Sequence, residues 1–319
     1  MAVTIITAHI KKIIIILVCL LAFILFFTNV ENLKISINQG IRFCVFSLVP
    51  SIFIFMIISS FSLYSSAFSG ILNRVSNKTF NKIGICRKYF SVIILCSLCG
   101  FVNGPKILCE DYKKNGGNEV AFSNAIILSS NAGLGFLISC VGVGVWHDIW
   151  LGIYLYFAQI SSAIILGKLI LKKDFESLET NPKNEKSPNL CVAFTQSVVS
   201  SVFAIITICA FVVVFSAFTS VVLSVLNIEE NTATYAIVSI LVEFCRGSFL
   251  VFNADNILFS AFLTGFCIGF GGICVHFQTF AVCEGFPLNK FQFVLFKAIH
   301  GLLCGFLCVI YMLFKNFLL

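Results

Sequence analysis

The sequence predicts an all-α polytopic membrane protein, built as an inverted repeat with re-entrant hairpins and broken transmembrane helices. Three observations lead to this prediction: a very apolar composition, nine long apolar segments, and interruptions at matching places in the two halves of the chain. Hydrophobic residues make up 59% of the chain and charged residues 11%. The mean hydropathy is +1.03. Soluble domains carry about a quarter of their residues as charged side chains, so the expected solvent of this chain is lipid.

Nine apolar segments approach the length of a spanning helix, which needs about 20 apolar residues. The first follows His9, Lys11 and Lys12 and has features of a signal peptide. Its apolar run is long and no small-residue cleavage site follows, so we expect a retained N-terminal helix. The segments are Ile13 to Val30, Phe43 to Tyr64, Ser91 to Cys109, Ala121 to Val145, Trp150 to Leu171, Val198 to Leu226, Ala233 to Phe252, Ile257 to Cys283 and Phe291 to Phe314.

A charged stretch from Lys172 to Asn189 divides the chain, because it contains Pro182 and Pro188 and is the only long polar linker in the sequence. The predicted organisation is an N-terminal transmembrane helix over residues 1–32, a first repeat over 33–171, a polar linker over 172–192 and a second repeat over 193–319. The lysines and arginines nearly balance between the two sides of the membrane, so they favour neither orientation.

The two halves carry motifs in the same order. VFSLVPSIFIFMIISSF, GFVNGPK and SSNAGLGFLISCVGVG occur in the first half, and ICAFVVVFSAFTSVVL, EFCRGS and GFCIGFGGICVHFQ in the second. Repeats with matching interruptions are typical of secondary transporters, which bind substrate where the broken helices meet. We expect the segments around Pro50 and Phe215 to be membrane hairpins or bent helices, related by a pseudo-two-fold axis in the membrane plane. The alternative is chance recurrence of the small residues that line helix contacts.

GFVNGPK places helix breakers and a cation inside an apolar segment. Gly100, Gly104 and Pro105 predict that the backbone leaves regular helix near Asn103, because proline has no N–H to donate. Irregular backbone at membrane depth has to face protein or a water-filled cavity. Lys106 belongs in such a cavity as well, and we expect Asn103 and Lys106 to bind substrate there. The alternative is that Lys106 snorkels to the membrane surface.

Arg246 is the most deeply placed cation of the second half. Glu243 precedes it by three residues, which predicts that both lie on one helix face and pair. The planar guanidinium of Arg246 is suited to binding a substrate carboxylate in a bidentate manner. The alternative is a buried ion pair that only fixes packing.

Polar residues beside glycines in other apolar segments complete the candidate substrate-binding site. The competing explanations are a helix-packing role for Gly265 and Gly269, and a buried carbonyl capped by the histidine of GICVHFQ. Gly301 and Gly305 likewise explain the face that carries the weaker candidate, His300, as a packing surface. The further candidates are Asn131, His276 and Gln278.

The sequence offers little to support enzymatic or nucleic-acid-binding function. HExxH, GxSxG and paired-carboxylate motifs are absent, and so is any nucleic-acid-binding module. Most of the 15 cysteines lie in apolar segments, where they act as small hydrophobic residues. Cys96 and Cys99 form one CxxC pair, a weak metal signal, so we predict no catalytic, cofactor or metal site. The expected partners are membrane lipid and a small-molecule anion, with a coupling ion and a homo-oligomer left open.

The motifs VPSIFIF, GFVNGPK, SNAGLGFLISCVGVG, GFGGICVHFQ and KAIHGLL resemble those of the sporulation integral membrane protein YlbJ family. That family belongs to the nucleoside-recognition or Gate domain group and is similar to concentrative nucleoside transporters. The resemblance, from about Gly40 to about Met312, implies transport of dipicolinate across the outer forespore membrane of a bacterium during endospore formation. A nucleoside-type transporter and a non-transporting membrane scaffold needed for sporulation are the alternatives.

Overall fold

The computed structural model describes residues 2–65, 97–98, 100–170, 189–229, 232–250 and 256–318, and within them every regular element is helical. This confirms the prediction of an all-α fold. Most of the predicted linker lies outside the described residues, as do Cys96 and Cys99. The helices are α1 (Ala2–Thr28), α2 (Val30–Phe43), α3 (Val49–Tyr64), α4 (Asn103–Asn115), α5 (Glu119–Ser129), the π-helical α6 (Phe136–Val145), α7 (Ile149–Ile170), α8 (Leu190–Val225), α9 (Ala233–Val242), α10 (Phe244–Leu250), α11 (Ile257–Phe270), α12 (Gly272–Val282) and α13 (Lys290–Leu318).

Five helical stretches of the described chain are long and apolar enough to cross a membrane. Large apolar side chains on them face outward; Phe46 is 77% exposed and Leu169 is 76% exposed. Lipid solvates such surfaces, whereas soluble monomers rarely expose them over large contiguous areas. The length and composition are those of a multi-pass membrane protein. The stretches are Val30–Ser62, Ile149–Leu169, Leu190–Val225, Ile257–Val282 and Lys290–Phe317.

Four of the places where the described chain leaves regular helix lie beside the residues predicted to bind substrate, and we call these four the helix breaks. Gly100 has φ 98°, and the chain stays irregular to Val102 before α4 begins. Residues 130–133 separate α5 from α6. Glu243 is extended, with φ −133° and ψ 113°, between α9 and α10. Gly271 is left-handed, with φ 83°, between α11 and α12. We call them the Gly100, Ser130, Glu243 and Gly271 breaks.

The first break lies slightly earlier in the chain than the sequence predicts. Asn103 to Pro105 form the first turn of α4 and are helical. The N–H of Lys106 makes the first hydrogen bond of the turn, to the Val102 carbonyl at 3.0 Å. The missing N–H of Pro105 therefore costs nothing, because the first amides of a helix have no partner within it. Pro105 therefore belongs to the first turn of α4, and the irregular backbone begins at Gly100.

Neither Pro50 nor Phe215 lies in a hairpin, so the hairpin form of the prediction is wrong, while the alternative of bent helices stays a prediction. The chain stays helical from Val30 to Tyr64, because a π-helical turn at Cys44–Leu48 shifts the backbone hydrogen bonds just before Pro50 and lets the helix continue past it. Phe215 lies inside α8, a single helix of 36 residues. The α2–α3 rod and α8 pack against each other along their length. They form one wall of the molecule.

The tightest helix pair is α11 on α13. A methyl group on Gly265 would overlap the carbonyl oxygen of Cys304, and one on Gly269 would lie 2.6 Å from the Cα of Gly301. The two backbones approach this closely only because both faces carry glycine. This confirms the helix-packing explanation for Gly265 and Gly269. It also places His300 beside the Gly271 break.

Candidate functional site

A cavity of about 980 Å³ lies between the helix breaks and the α3 and α8 wall. Its size is within the range of pockets that enclose small organic ligands, about 300 to 1,000 Å³. The Gly100 break, Gly133 of the Ser130 break, and Glu243 all contribute to its lining. The opposite side is formed by Leu48, Ile52, Phe55, Met56 and Ser60 of the first half and Thr195, Gln196, Val199, Ser200, Phe203, Ala204, Thr207, Ile208 and Val212 of α8.

Four of the seven sequence-predicted site residues line this cavity. Asn103 and Lys106 come from the first turn of α4, Glu243 from its own break, and Gln278 from α12. They belong to both halves of the chain and lie up to 175 positions apart in sequence, counting from Asn103 to Gln278. The structure thus gathers polar groups from two distant regions around one space.

The start of α4 is the most cationic part of the cavity wall. Lys106 is exposed and lines the cavity, with Glu110 one turn further on. Val102, the residue before α4, gives no side-chain hydrogen bond to the helix. The first amides of α4 therefore have no side-chain cap at this position. Uncapped amides and the helix dipole favour an anion at this end.

Glu243 is a buried carboxylate at the cavity. It is 2% exposed, and its Oε1 accepts the N–H of Cys245 at 2.8 Å. Because Glu243 is extended and precedes α10, it does not lie on one continuous helix with Arg246, and the pairing of the two side chains stays a prediction. The Arg246 side chain lies outside the described residues. Its neighbour Cys245 lines the cavity.

Asn131 and His276 are not among the residues that line the cavity. Asn131 is fully buried, and its Nδ2 donates to the Leu128 carbonyl at 2.7 Å and to Ser97 Oγ at 3.3 Å. The Nε2 of His276 lies 2.9 Å from the Phe270 carbonyl, at the end of α11. A carbonyl only accepts, so this ring nitrogen donates. The explanation that His276 caps a buried carbonyl is confirmed.

Two aromatic side chains that sequence reasoning missed meet at the cavity. The rings of Phe101 and Phe244 are in edge-to-face contact, with centroids 4.9 Å apart and planes at 82°. The ring centroids of Phe136 and Phe244 lie 4.7 Å apart. Phe101 follows Gly100 and Phe244 follows Glu243. For Phe101 a sequence signal was available, because it directly follows the glycine at which the helix breaks, whereas no residue pattern marks the break before Phe244.

Behind Phe101 lies a buried basic pair, Lys297 and His300 of α13. Lys297 is 1% exposed, and its Nζ donates to the Ser130 carbonyl at 2.7 Å. The same nitrogen lies 3.1 Å from His300 Nδ1 and 5.5 Å from the centre of the Phe101 ring. Sequence reasoning missed Lys297, although KAIH places two basic side chains three residues apart in an apolar segment. Comparisons with protein-family models, curated proteins and solved structures found no match.

Proposed function

We propose that this protein is a secondary transporter that moves a small organic solute across a bacterial membrane. The observation that carries the proposal is the cavity of about 980 Å³, bounded by helix breaks from both halves of the chain. Non-helical backbone within a membrane is stable where it lines such a cavity. Broken helices around a central site are also the usual design of substrate sites in secondary transporters.

Pairing of the breaks supports an inverted repeat. In the first half the Gly100 and Ser130 breaks touch: a Cβ on Gly133 would lie 3.3 Å from the backbone nitrogen of Gly100. In the second half a Cβ on Gly272 would lie 3.1 Å from the backbone nitrogen of Phe244, directly after Glu243. Each half thus brings its own two breaks into close contact. The contact between the rings of Phe101 and Phe244 connects the two breaks of the first half with the two breaks of the second half.

We infer that the solute is an anion, with dipicolinate the candidate suggested by resemblance to the YlbJ family. Lys106 and the uncapped amides of α4 favour negative charge. We further propose that Arg246 of α10 supplies the bidentate partner that a carboxylate prefers. The rings of Phe101 and Phe244 offer contact surfaces for a planar heterocycle. On this proposal the protein acts in the outer forespore membrane during endospore formation.

One observation favours a second candidate, a nucleoside-type solute. The buried carboxylate of Glu243 lines the cavity together with Gln278 and Asn103. A carboxylate accepts hydrogen bonds from sugar hydroxyls and repels an anion, and the two amides can bond the edge of a base. Glu243 therefore distinguishes the two solutes.

The test is uptake of labelled dipicolinate and labelled uridine into liposomes that contain the purified protein. For the anion, Arg246→Ala should lower uptake at least about thirtyfold, the equivalent of losing 2 kcal/mol, and Arg246→Lys should recover only part. Glu243→Gln removes a negative charge that repels an anion, so it should not lower dipicolinate uptake. Arg42→Ala, an exposed arginine of α2, is the matched control.

The opposite result, loss of uridine uptake in Glu243→Gln with Arg246→Ala unaffected, would assign the nucleoside instead. If the inserted parent protein accumulates and exchanges neither solute, a scaffold role in sporulation replaces transport. Deletion in sporulating cells, with dipicolinate measured inside and outside the forespore, then checks which process depends on the protein.

A further inference from the structure

We propose that Lys297 and His300 form a proton-binding site that couples solute movement to a proton gradient; this inference rests on the proposed transport function. The side chains are buried in α13, one turn apart, at 1% and 0% exposure. They lie behind the cavity wall. From there they can respond to a solute in the cavity without binding the solute themselves. We call them the Lys297–His300 pair.

The contacts of His300 limit how many protons the pair can hold. Its Nε2 lies 2.8 Å from the Gln159 carbonyl, which only accepts, so Nε2 carries a hydrogen. Its Nδ1 lies 3.1 Å from both Lys297 Nζ and the Gly269 carbonyl. Nδ1 either accepts from a Lys297 ammonium, or is itself protonated and donates to Gly269 while Lys297 is an amine. Both arrangements contain one excess proton.

A second excess proton would place two positive charges 3.1 Å apart in the protein interior, which is strongly unfavourable. The pair without its excess proton is neutral, and Lys297 can still donate to the Ser130 carbonyl. The pair is therefore built to exchange a single proton. The proton binds either to the Lys297 amine, which becomes an ammonium, or to the His300 imidazole, which becomes an imidazolium.

The surroundings supply no charge that would hold the proton permanently. Lys297 forms no ion pair with a carboxylate in the described parts of the chain. The titratable groups facing it are Cys304 on α13 and His276 on α12, while α7 and α11 face His300 with carbonyl groups. An unpaired cation at this depth is costly. Proton release relieves that cost, which is what a reversible coupling site needs.

The pair contacts two elements of the cavity wall. Lys297 Nζ bonds the carbonyl at the Ser130 break, where Ser130 Oγ and Asn131 Oδ1 are buried without a hydrogen-bond partner among the described residues. It also stands over the Phe101 ring, which lines the cavity. A charged Nζ strengthens both contacts, through a charge-assisted bond and a cation–π interaction. Protonation therefore favours one arrangement of the Ser130 break and Phe101, and solute binding shifts the same equilibrium.

A transport experiment separates coupling from transport itself. Liposomes containing the parent protein or Lys297→Met are loaded with dipicolinate or uridine, and exchange at equal pH is compared with accumulation driven by a pH gradient. We expect Lys297→Met to exchange solute but to lose at least about fivefold in gradient-driven accumulation. Lys290→Met, an exposed lysine at the start of the same helix, should behave as the parent.

Parent protein that exchanges solute but ignores the pH gradient, or follows a sodium gradient, would overturn the coupling proposal and leave transport standing. Absence of exchange would instead reject transport. Proton binding is then judged by NMR of detergent-solubilised protein with labelled lysine and histidine, with Lys297→Met assigning the signal. The pair should take up one proton in a single step between about pH 5 and pH 9, seen in the signals of Lys297, of His300 or of both. Signals of both residues that do not change over that range would reject the site whatever the transport result.

Discussion

The side chain of Gln159 bonds both backbone groups of Ala132: its Nε2 donates to the Ala132 carbonyl over 2.7 Å, and its Oε1 accepts the Ala132 N–H over 3.1 Å. Ala132 lies in the Ser130 break, where no helix supplies these partners, and both residues are buried. Lipid could not supply them either. A side chain from α7 thus takes the place of a helical turn and stabilises the break.

Gln159→Leu should lower the free energy of unfolding by at least about 2 kcal/mol, because two buried backbone groups lose their partners at about 1 to 3 kcal/mol each. Gln159→Glu keeps the acceptor and should show an intermediate loss. The measurement is thermal unfolding in detergent, followed by helical circular dichroism. Gln196→Leu, an exposed glutamine on α8, is the control. Equal stability of Gln159→Leu and the control would show that water or another group satisfies Ala132.

Gly265→Ala should separate α11 from α13. The new methyl group would overlap the Cys304 carbonyl, and backbone cannot rotate away. We expect a loss of about 1 to 3 kcal/mol, typical of overpacking. Gly167→Ala on α7 is a matched control, because its methyl would meet only the end of the Leu128 side chain, at 2.8 Å. Comparable melting temperatures for the two variants would mean that the α11–α13 contact is looser than described.

Thr264→Val tests a buried hydrogen bond between α11 and the end of α6. The Nε1 of Trp146 donates to Thr264 Oγ1 over 3.1 Å. Valine has nearly the shape of threonine but no acceptor, so stability should fall by about 1 to 3 kcal/mol. Tryptophan fluorescence reports the change, since the chain has two tryptophans and Trp150 is 69% exposed. Thr207→Val, on the exposed face of α8, should leave the emission spectrum as it was.

The side chain of Asp148 links the start of α7 to the end of α13 through hydrogen bonds. Its Oδ1 accepts the N–H groups of Trp150 at 2.9 Å and Leu151 at 3.2 Å. Its Oδ2 accepts Lys315 Nζ at 2.6 Å and the Tyr311 hydroxyl at 3.1 Å. Burial by itself would raise the pKa of Asp148, but the bonds from Lys315, Leu151 and Tyr311 outweigh it and lower this pKa.

This lowered pKa predicts loss of stability in acid. The carboxylate stabilises the folded state fully above its unfolded pKa of about 3.9, and the contribution disappears as the pH falls through the lower pKa of the folded state. The melting temperature should therefore drop below about pH 4 in the parent protein. In Asp148→Asn it should be lower at neutral pH and should fall less on acidification. If the melting temperatures of the two proteins fall in parallel with pH, Asp148 does not contribute to the loss of stability in acid.

The helix breaks show what short sequence patterns can and cannot predict about where a helix is interrupted. The sequence predicted a break around Asn103 to Pro105, but the structure has it at Gly100, and Asn103 to Pro105 form the first turn of the next helix, where the missing N–H of proline is harmless. Pro50 suggested a hairpin, yet the helix continues past it after a π-helical turn. The effect of a proline depends on the hydrogen bonds of the preceding turn, which a residue pattern does not specify.

The all-α class, the apolar surface and the approximate places where helices end could be predicted from sequence, because they depend on composition and on backbone preferences over a few residues. Which polar groups meet depends on how the helices pack. Lys297 and the Ser130 carbonyl are 167 positions apart and form a 2.7 Å hydrogen bond, while Asn131 and His276, equally polar by sequence, turn toward carbonyls instead of the cavity. Partners of buried polar groups come from distant parts of the chain, so only the packed helices select them.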